Sequence, residues 1–394
     1  MNWIDLLILF LAVLAAISGA RQGVIIALPA FLGVLGGAIL GIQLAPLVVK
    51  QFTNTASRVA FAVGIFVLLV ALGETLGVWI GRSLRQRLQS PRLASVDSVF
   101  GAVVQGAVVF LVAWLIALPL TTVGNLPELT SQVKESAILG GVDDLMPPSA
   151  QQLPNDLREL LDVSGFPAAV DPFSRTPISQ VAPPDTALQA SPVVQKVRPS
   201  VLKIHARAQS CSRALEGTGF VISQQRLMTN AHVVAGSDQV SVETESGDLA
   251  ARVVYYDPDT DLAILSVPRL TAPPLEFAAR DGSAGQDGIV VGYPLDGPYT
   301  ASPARIRQRI SLQGPDIYEA KKVSRDVFTV RATVRSGNSG GPLVDTNGLV
   351  IGVVFGAAVD DPETGFVLTA TEVFDEVAQA PGLAKQVSTS NCVT

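Results

Sequence analysis

A serine stands among glycines in Arg335-Ser336-Gly337-Asn338-Ser339-Gly340-Gly341-Pro342, between the apolar runs Val327–Val334 and Leu343–Val344. Glycine has no Cβ, so Gly337, Gly340 and Gly341 permit a sharp turn that aims backbone N–H groups inward. The N–H groups of Gly337 and Ser339 are what a developing oxyanion needs beside a nucleophilic hydroxyl. A serine hydroxyl is a poor nucleophile until a neighbouring imidazole takes its proton. That imidazole in turn needs a carboxylate to hold its useful tautomer. A glycine-serine turn alone is also a common hairpin loop, so the chemistry depends on a base and an acid elsewhere.

Only two histidines, His205 and His232, can supply the base. His205 lies in the strand-like run Val201–Ala206 and reads as a surface or packed residue. His232 lies in Met228-Thr229-Asn230-Ala231-His232-Val233-Val234, shortly after Gly217-Thr218-Gly219-Phe220-Val221-Ile222. Carboxylates cluster in Asp257-Pro258-Asp259-Thr260-Asp261, ahead of the apolar run Leu262-Ala263-Ile264-Leu265. Asp257 and Asp259 look like turn residues beside Pro258.

The elements that must position these residues are short β-type runs separated by Gly, Pro, Asn and Asp. Strands are expected at Val201–Ala206, Gly219–Ser223, Gln239–Glu243, Arg252–Tyr256 and Ala263–Val267. A second set is expected at Gly288–Val291, Arg305–Ile310, Val327–Val334, Leu349–Phe355 and Phe366–Thr369, with a terminal helix at Glu372–Ala380. This makes two small barrels in tandem, joined near Pro268–Glu276.

The motifs Thr229-Asn230-Ala231-His232, Asp261-Leu262-Ala263-Ile264 and Gly337-Asn338-Ser339-Gly340-Gly341, in that order, resemble the trypsin-like serine peptidase superfamily, in its HtrA-like branch. The resemblance covers residues 196–380. It implies a chymotrypsin-like double β-barrel and endopeptidase activity with no cofactor and no metal. It also implies His232 as general base, Asp261 as its orienting carboxylate and Ser339 as nucleophile, with an oxyanion hole from the N–H groups of Gly337 and Ser339.

Three departures from that pattern matter. HtrA proteases usually continue into a peptide-binding PDZ domain, and too few residues follow Ser339 here for one. Asn338 replaces the aspartate that pairs with a cut N-terminus in digestive enzymes, so that activation route is not expected. Thr333 lies where basic-specific enzymes have an acid, and Val353–Gly356 would form a pocket wall, so no strong preference for Lys or Arg is expected.

The rest of the composition is unlike a soluble enzyme. Hydrophobic residues make up 48% of the 394 and charged ones only 16%, with the apolar excess in residues 1–123. A net charge of −6 without a basic block argues against nucleic acid as a partner. Four runs, Trp3–Ala20, Val24–Val49, Val59–Ile80 and Phe100–Val123, are long enough to cross a bilayer as helices. The first lacks a basic start and has Asp5 at its head, so it reads as a retained span rather than a signal peptide.

Arg21 in the first loop and Arg82, Arg85, Arg87 and Arg92 in the third outweigh Lys50 and Arg58 in the second. Lys and Arg concentrate in cytoplasmic loops, so both termini are expected outside. Gly33, Gly37 and Gly41 fall on one face of the second span, and Gly73, Gly77 and Gly81 on one face of the third, as in a close helix seam. Glu74 adjoins that seam, and an acid at membrane depth is costly enough to suggest a role. Asn2-Trp3-Ile4-Asp5-Leu6-Leu7-Ile8-Leu9, followed by Gly19-Ala20-Arg21-Gln22-Gly23, resembles the colicin V production family of membrane proteins.

Residues 124–195 carry ten prolines between Pro127 and Pro192 and read as an extracytoplasmic spacer, with one short amphipathic helix at Asn155–Val163. Such a linker is also a candidate site of cleavage. Cys211 and Cys392 fit an extracytoplasmic disulfide, with a redox-sensing dithiol as the alternative. Arg305, Arg307 and Arg309 read as one solvated strand face.

The expected architecture is an all-α four-helix membrane domain (1–123), a Pro-rich linker (124–195) and an all-β chymotrypsin-like double β-barrel (196–394). That combination resembles the membrane-anchored acid-resistance serine proteases of mycobacteria and other actinobacteria. The resemblance implies a protease in the cell inner (plasma) membrane, acting on periplasmic or envelope proteins in acid and oxidative stress. The competing reading is a catalytically silent protease fold that serves as a stress sensor or binding module. A membrane transporter regulated by the barrel domain is a further one.

Overall fold

The computed structural model describes residues 2–49, 55–87, 94–120, 127–146, 169–170, 174, 176–211 and 213–393. Those up to 146 belong to one compact unit, and those from 169 onward, Ser174 apart, to a second.

The first unit contains α1 (Trp3–Gln22), α2 (Val24–Val49), α3 (Thr55–Arg87) and α4 (Ala94–Leu120). All four are long and apolar enough to cross a membrane. They are apolar nearly all round, as helices in lipid must be, so they pair by close backbone approach rather than by an apolar stripe. On α2 and α3 the glycine faces meet as expected. A Cβ at Gly33 would lie 2.0 Å from the Gly73 carbonyl oxygen, one at Gly37 2.3 Å from that of Leu69, and one at Gly77 2.2 Å from that of Pro29. A second seam joins α1 to α4, where a Cβ at Gly19 would meet the Gly101 carbonyl oxygen at 2.2 Å. Gly101 also meets Gly23, four residues after Gly19, so this seam too is built on small residues one turn apart, although the sequence reading did not single it out. Glu74 is half-buried on α3, with no hydrogen-bond or ion-pair partner among the described residues.

The spacer expected from residue 124 begins later than expected. Helices α5 (Pro127–Lys134) and α6 (Ala137–Leu145) lie inside that segment and belong to the membrane unit. Pro127 stands at the first helical position, where its missing N–H costs nothing. No other proline follows before Pro147, so nothing breaks these helices. Val133 and Leu139 pack into one cluster with Ile4, Ile8 and Trp114. Asp5 is buried in the same region: it completes a capping box with Asn2 and accepts from Ser136 Oγ at 2.5 Å. Trp114 Nε1 donates to Asp143 Oδ1 at 2.9 Å. The helix expected at Asn155–Val163 lies outside the described residues.

The second unit is all-β. Strands β1 (Val201–Ala208), β2 (Arg213–Ser223), β3 (Arg226–Thr229), β4 (Gln239–Thr244), β5 (Gly247–Asp257) and β6 (Leu262–Ser266) close a barrel in the order β1-β2-β3-β6-β5-β4. Strands β7 (Asp287–Gly292), β8 (Thr300–Pro315), β9 (Lys322–Arg331), β10 (Pro342–Val344), β11 (Val350–Ala357) and β12 (Thr364–Thr369) close another, as β10-β11-β12-β9-β8-β7. A short helix α7 (Pro192–Val197) precedes the barrels and α8 (Phe374–Gln379) follows them. Each barrel has its own core, with Ile204, Leu227 and Leu265 in the first and Ile306, Phe328 and Val367 in the second. Phe220, Met228, Val353 and Phe366 share a further cluster that joins the barrels. Two strands escaped the sequence reading, β3 and β10, of four and three residues. Both are too short to show an alternation.

The end of the expected spacer also belongs to this unit. Gln308 Nε2 donates to the Pro177 carbonyl at 3.1 Å and Arg331 Nη1 to that of Val181 at 2.9 Å. This strap corrects the reading of the three arginines as a solvated face. The β8–β9 register shifts between Ile306 and Gln308, a bulge at Arg307. Arg307 is buried, with Nη1 on the Ser179 carbonyl at 3.1 Å and Nη2 3.4 Å from Asp361. Arg305 pairs with Asp287, and Arg309 with Asp281 and Asp326.

Cys211 and Cys392 form a disulfide across 181 residues of sequence. It fastens the C-terminal segment to the first barrel, where Gly236 N–H donates to the Thr389 carbonyl and Val387 N–H to that of Val253, both at 2.9 Å. Closing so long a loop restricts the unfolded chain, so Cys392→Ser is expected to destabilise this unit by about 2–5 kcal/mol. Thermal melts of the oxidised wild type and the variant would measure it; equal midpoints would show the bridge to be inert.

Candidate active site

His232 and Asp261 are brought together by strand pairing. β3 and β6 run antiparallel with Thr229 opposite Ala263, so the residues that leave β3 lie beside those that enter β6. Asp261 has φ +63°, in the left-handed region. Asn230 Nδ2 donates to its carbonyl at 2.8 Å and fixes that turn. The Asp261 carboxylate is buried and accepts twice from one residue. His232 N–H donates to Oδ1 at 2.9 Å, and the ring Nδ1 lies 2.7 Å from Oδ2. A carboxylate only accepts, so Nδ1 carries a proton, and in the neutral ring Nε2 then keeps its lone pair. Nε2 is buried and has no hydrogen-bond partner among the described residues.

Asp257 and Asp259 are held elsewhere. Asp257 Oδ1 accepts from the Asp259 N–H at 2.9 Å, and Asp259 pairs with Lys321 at 2.7 Å. From the second barrel, Arg325 reaches the same loop, with Nε on the Asp259 carbonyl at 2.6 Å. Burial lowers the pKa of this guanidinium. His205 is partly exposed, with Nε2 3.3 Å from Glu243. His205, Glu216 and Asp296 converge closely enough to suggest a cation site. Lys203 already supplies the positive charge there, with Nζ 2.9 Å from Asp296 and 3.9 Å from Glu243.

Ser339 lies in the turn between β9 and β10, against strand β11. Gly340 N–H donates to the Val354 carbonyl at 2.8 Å, and Val354 N–H to that of Gly341 at 2.9 Å. Thr218 N–H, from β2 of the other barrel, donates to the Ser339 carbonyl at 2.9 Å. Gly217 lies between the two halves: a Cβ there would meet Val233 at 2.7 Å and the Ser339 carbonyl at 3.2 Å. The turn thus sits at the junction of the barrels, facing the His232 segment.

Two N–H groups in this turn point away from every acceptor among the described residues. Carbonyl and N–H of one trans peptide point in opposite directions. The Ser336 carbonyl accepts from Leu295 N–H at 2.7 Å, which turns the Gly337 N–H the other way. The Asn338 carbonyl accepts from Gly341 N–H at 2.9 Å, which does the same for the Ser339 N–H. Neither N–H finds an acceptor among the described residues. Gly337 has φ +89°, and a Cβ there would fall 2.3 Å from the Tyr293 carbonyl oxygen, so only glycine fits. Asn338 is buried, and its Oδ1 accepts from Arg335 N–H at 3.0 Å, which braces the turn from within.

Thr218 was not singled out by the sequence, although its Gly217-Thr218-Gly219 motif was. Its hydroxyl donates to the Gly337 carbonyl at 2.6 Å and accepts from Tyr293 N–H at 3.0 Å. A threonine framed by two glycines at a strand was the available signal.

A chymotrypsin-like double barrel with such a serine turn defines a trypsin-like serine protease. Residues 217–353 match the family model described as a trypsin-like peptidase domain, and residues 4–147 that of the colicin V production protein. Serine protease Rv3671c of Mycobacterium tuberculosis is 49% identical over all 394 residues and 99% of its own length. Its protease crystal structure, titled as the active form, matches with a TM-score of 0.55 and 56% identity, over 58% of this chain and all of that one. Mouse serine protease HTRA4 is 34% identical over 41% of this chain and 35% of its own length. The chain belongs to the family of the mycobacterial protease, serine proteases that join a trypsin-like domain to a colicin V production-type membrane domain.

Proposed function

We propose that this serine protease cleaves envelope proteins outside the cytoplasm through a His232-Asp261-Ser339 triad and an acyl-enzyme. The observation that carries this is the pairing of His232 with Asp261, which leaves Nε2 with a free lone pair, beside a serine turn with two unpaired N–H groups. Ser339 Oγ attacks the scissile carbonyl carbon while Nε2 takes its proton. The carbonyl oxygen becomes an oxyanion and is held by the N–H groups of Gly337 and Ser339. Imidazolium then protonates the leaving amine, and the C–N bond breaks to leave an ester on Ser339. Water attacks that ester with the same base, and Ser339 is released. Asp261 stays ionised throughout, holding the ring and balancing its charge.

Thr333 stands where basic-specific relatives carry an acid, which supports cleavage without a strong preference for Lys or Arg. The excess of arginine in the first and third loops supports a periplasmic protease domain. A role in acid and oxidative stress rests on the resemblance of the whole architecture. The test is labelling of the full-length protein in detergent by a fluorophosphonate. Stoichiometric labelling that disappears in Ser339→Ala is expected. A folded wild type that takes no label at neutral pH would favour the silent-module reading instead.

A further inference from the structure

One peptide plane decides whether the Gly337 N–H serves the oxyanion, and its partner reaches it from a strained loop. Leu295 donates its N–H to the Ser336 carbonyl from φ +55°, and Asp296 follows at φ +54°. Two consecutive left-handed residues, neither of them glycine, are disfavoured by contact between Cβ and carbonyl. Such strain persists only where the surroundings over-determine it.

Lys203, on β1 of the other barrel, does this. Its Nζ donates to the Asp296 carbonyl at 2.9 Å, lies 2.9 Å from Asp296 Oδ1, and sits over the Tyr293 ring at 5.5 Å. The Lys203 side chain is 13% exposed and that of Asp296 43%, so the ion pair is partly screened and the hydrogen bond to the Asp296 carbonyl is the firmer half of the clamp. Desolvation lowers the Lys203 pKa, but the hydrogen bond and charge of Asp296 outweigh this and hold it above the ordinary lysine value. Thr218 braces the same loop from β2 through the Tyr293 N–H.

We infer that Lys203 is a positioning residue for the oxyanion hole: its clamp on Asp296 holds the Leu295 N–H on the Ser336 carbonyl. The Gly337 N–H thereby stays aimed at the reacting carbonyl. The inference rests on the reading of Ser339 as nucleophile. When the clamp is removed, the peptide is free to turn over, and one of two donors leaves the site. A donor of this kind acts on the transition state, so the loss falls on kcat and not on KM.

The experiment uses the full-length chain in detergent, with a fluorogenic peptide chosen from a library for cleavage by the wild type. Lys203→Met is expected to lower kcat by about a hundredfold, the size of one lost oxyanion donor, with KM within about twofold. Lys203→Arg keeps the clamp and most of the rate. Asp296→Asn, which keeps a residue that tolerates the left-handed turn and removes only the carboxylate half of the clamp, is expected to lower kcat by about tenfold with KM unchanged. Lys203→Arg and Asp296→Asn decide the matter if Lys203→Met misfolds. An unchanged kcat in Lys203→Met or in Asp296→Asn, a loss confined to KM, or a Lys203→Arg as slow as Lys203→Met would overturn the role of Lys203. A wild type that neither cleaves the library nor takes a fluorophosphonate would overturn the reading of Ser339 beneath it.

Discussion

Asp261→Asn is expected to lower turnover by about four orders of magnitude while the protease unit stays folded. The fold survives because asparagine tolerates the left-handed region better than other residues, and Asp261 stands at φ +63°. Its carbonyl oxygen can still accept from the His232 N–H, as Oδ1 does at 2.9 Å. The amide NH2 then faces Nδ1 in place of Oδ2, and a donor there requires Nδ1 to be the acceptor. The ring proton moves to Nε2, which can no longer take the proton of Ser339. Initial rates on a cleaved peptide, with a thermal melt of the same sample, measure both halves. A variant with near wild-type turnover would show that Asp261 does not orient the base. Ser339→Ala, which leaves the histidine pair intact, is expected to lose turnover entirely above background.

Gly73→Val is expected to break the pairing of α2 and α3, because even a Cβ at Gly73 falls 2.0 Å from the Gly33 carbonyl oxygen. The helices must separate, and a helix pair in lipid has no hydrophobic drive to reform the contact. Overpacking of this kind costs about 1–3 kcal/mol or more, enough to lower the melting midpoint of the membrane unit. Gly36 is the matched control, three residues from Gly33 on the same helix, where a Cβ would meet nothing within 4 Å. Gly36→Ala is expected to leave the melting midpoint unchanged or slightly raised, since alanine is the better helix former. Thermal melts of the full-length chain in detergent separate the two. Equal midpoints for Gly73→Val and Gly36→Ala would show that the seam carries no stability.

Much of this was legible because it rests on local chemistry. Ser339 stands out through the glycines around it, and the α2–α3 seam through small residues four apart. The four spans follow from apolar length. Proline count failed at residues 127–145, because one proline at a helix start was weighed like the pairs beyond it. Arg307 was read as solvated because strict alternation places it with Arg305 and Arg309. A bulge and the strap over residues 176–181 cannot be seen in the strand itself.

The order of His232, Asp261 and Ser339 along the chain, the membrane spans and the turn that presents the serine were determined by sequence alone, through residue type and short spacing. The motif Asp261-Leu262-Ala263-Ile264 already separated Asp261 from Asp257 and Asp259; tertiary structure, through the β3–β6 register, is what carries it to the imidazole. Tertiary structure also decided which way the Ser336–Gly337 peptide faces, through Leu295, and held the next peptide through Thr218 on the Gly337 carbonyl. The reason is that a hydrogen bond's direction depends on both partners. Here the partners of Ser336 and Gly337 lie dozens of residues away, on segments that closure of the two barrels brings together.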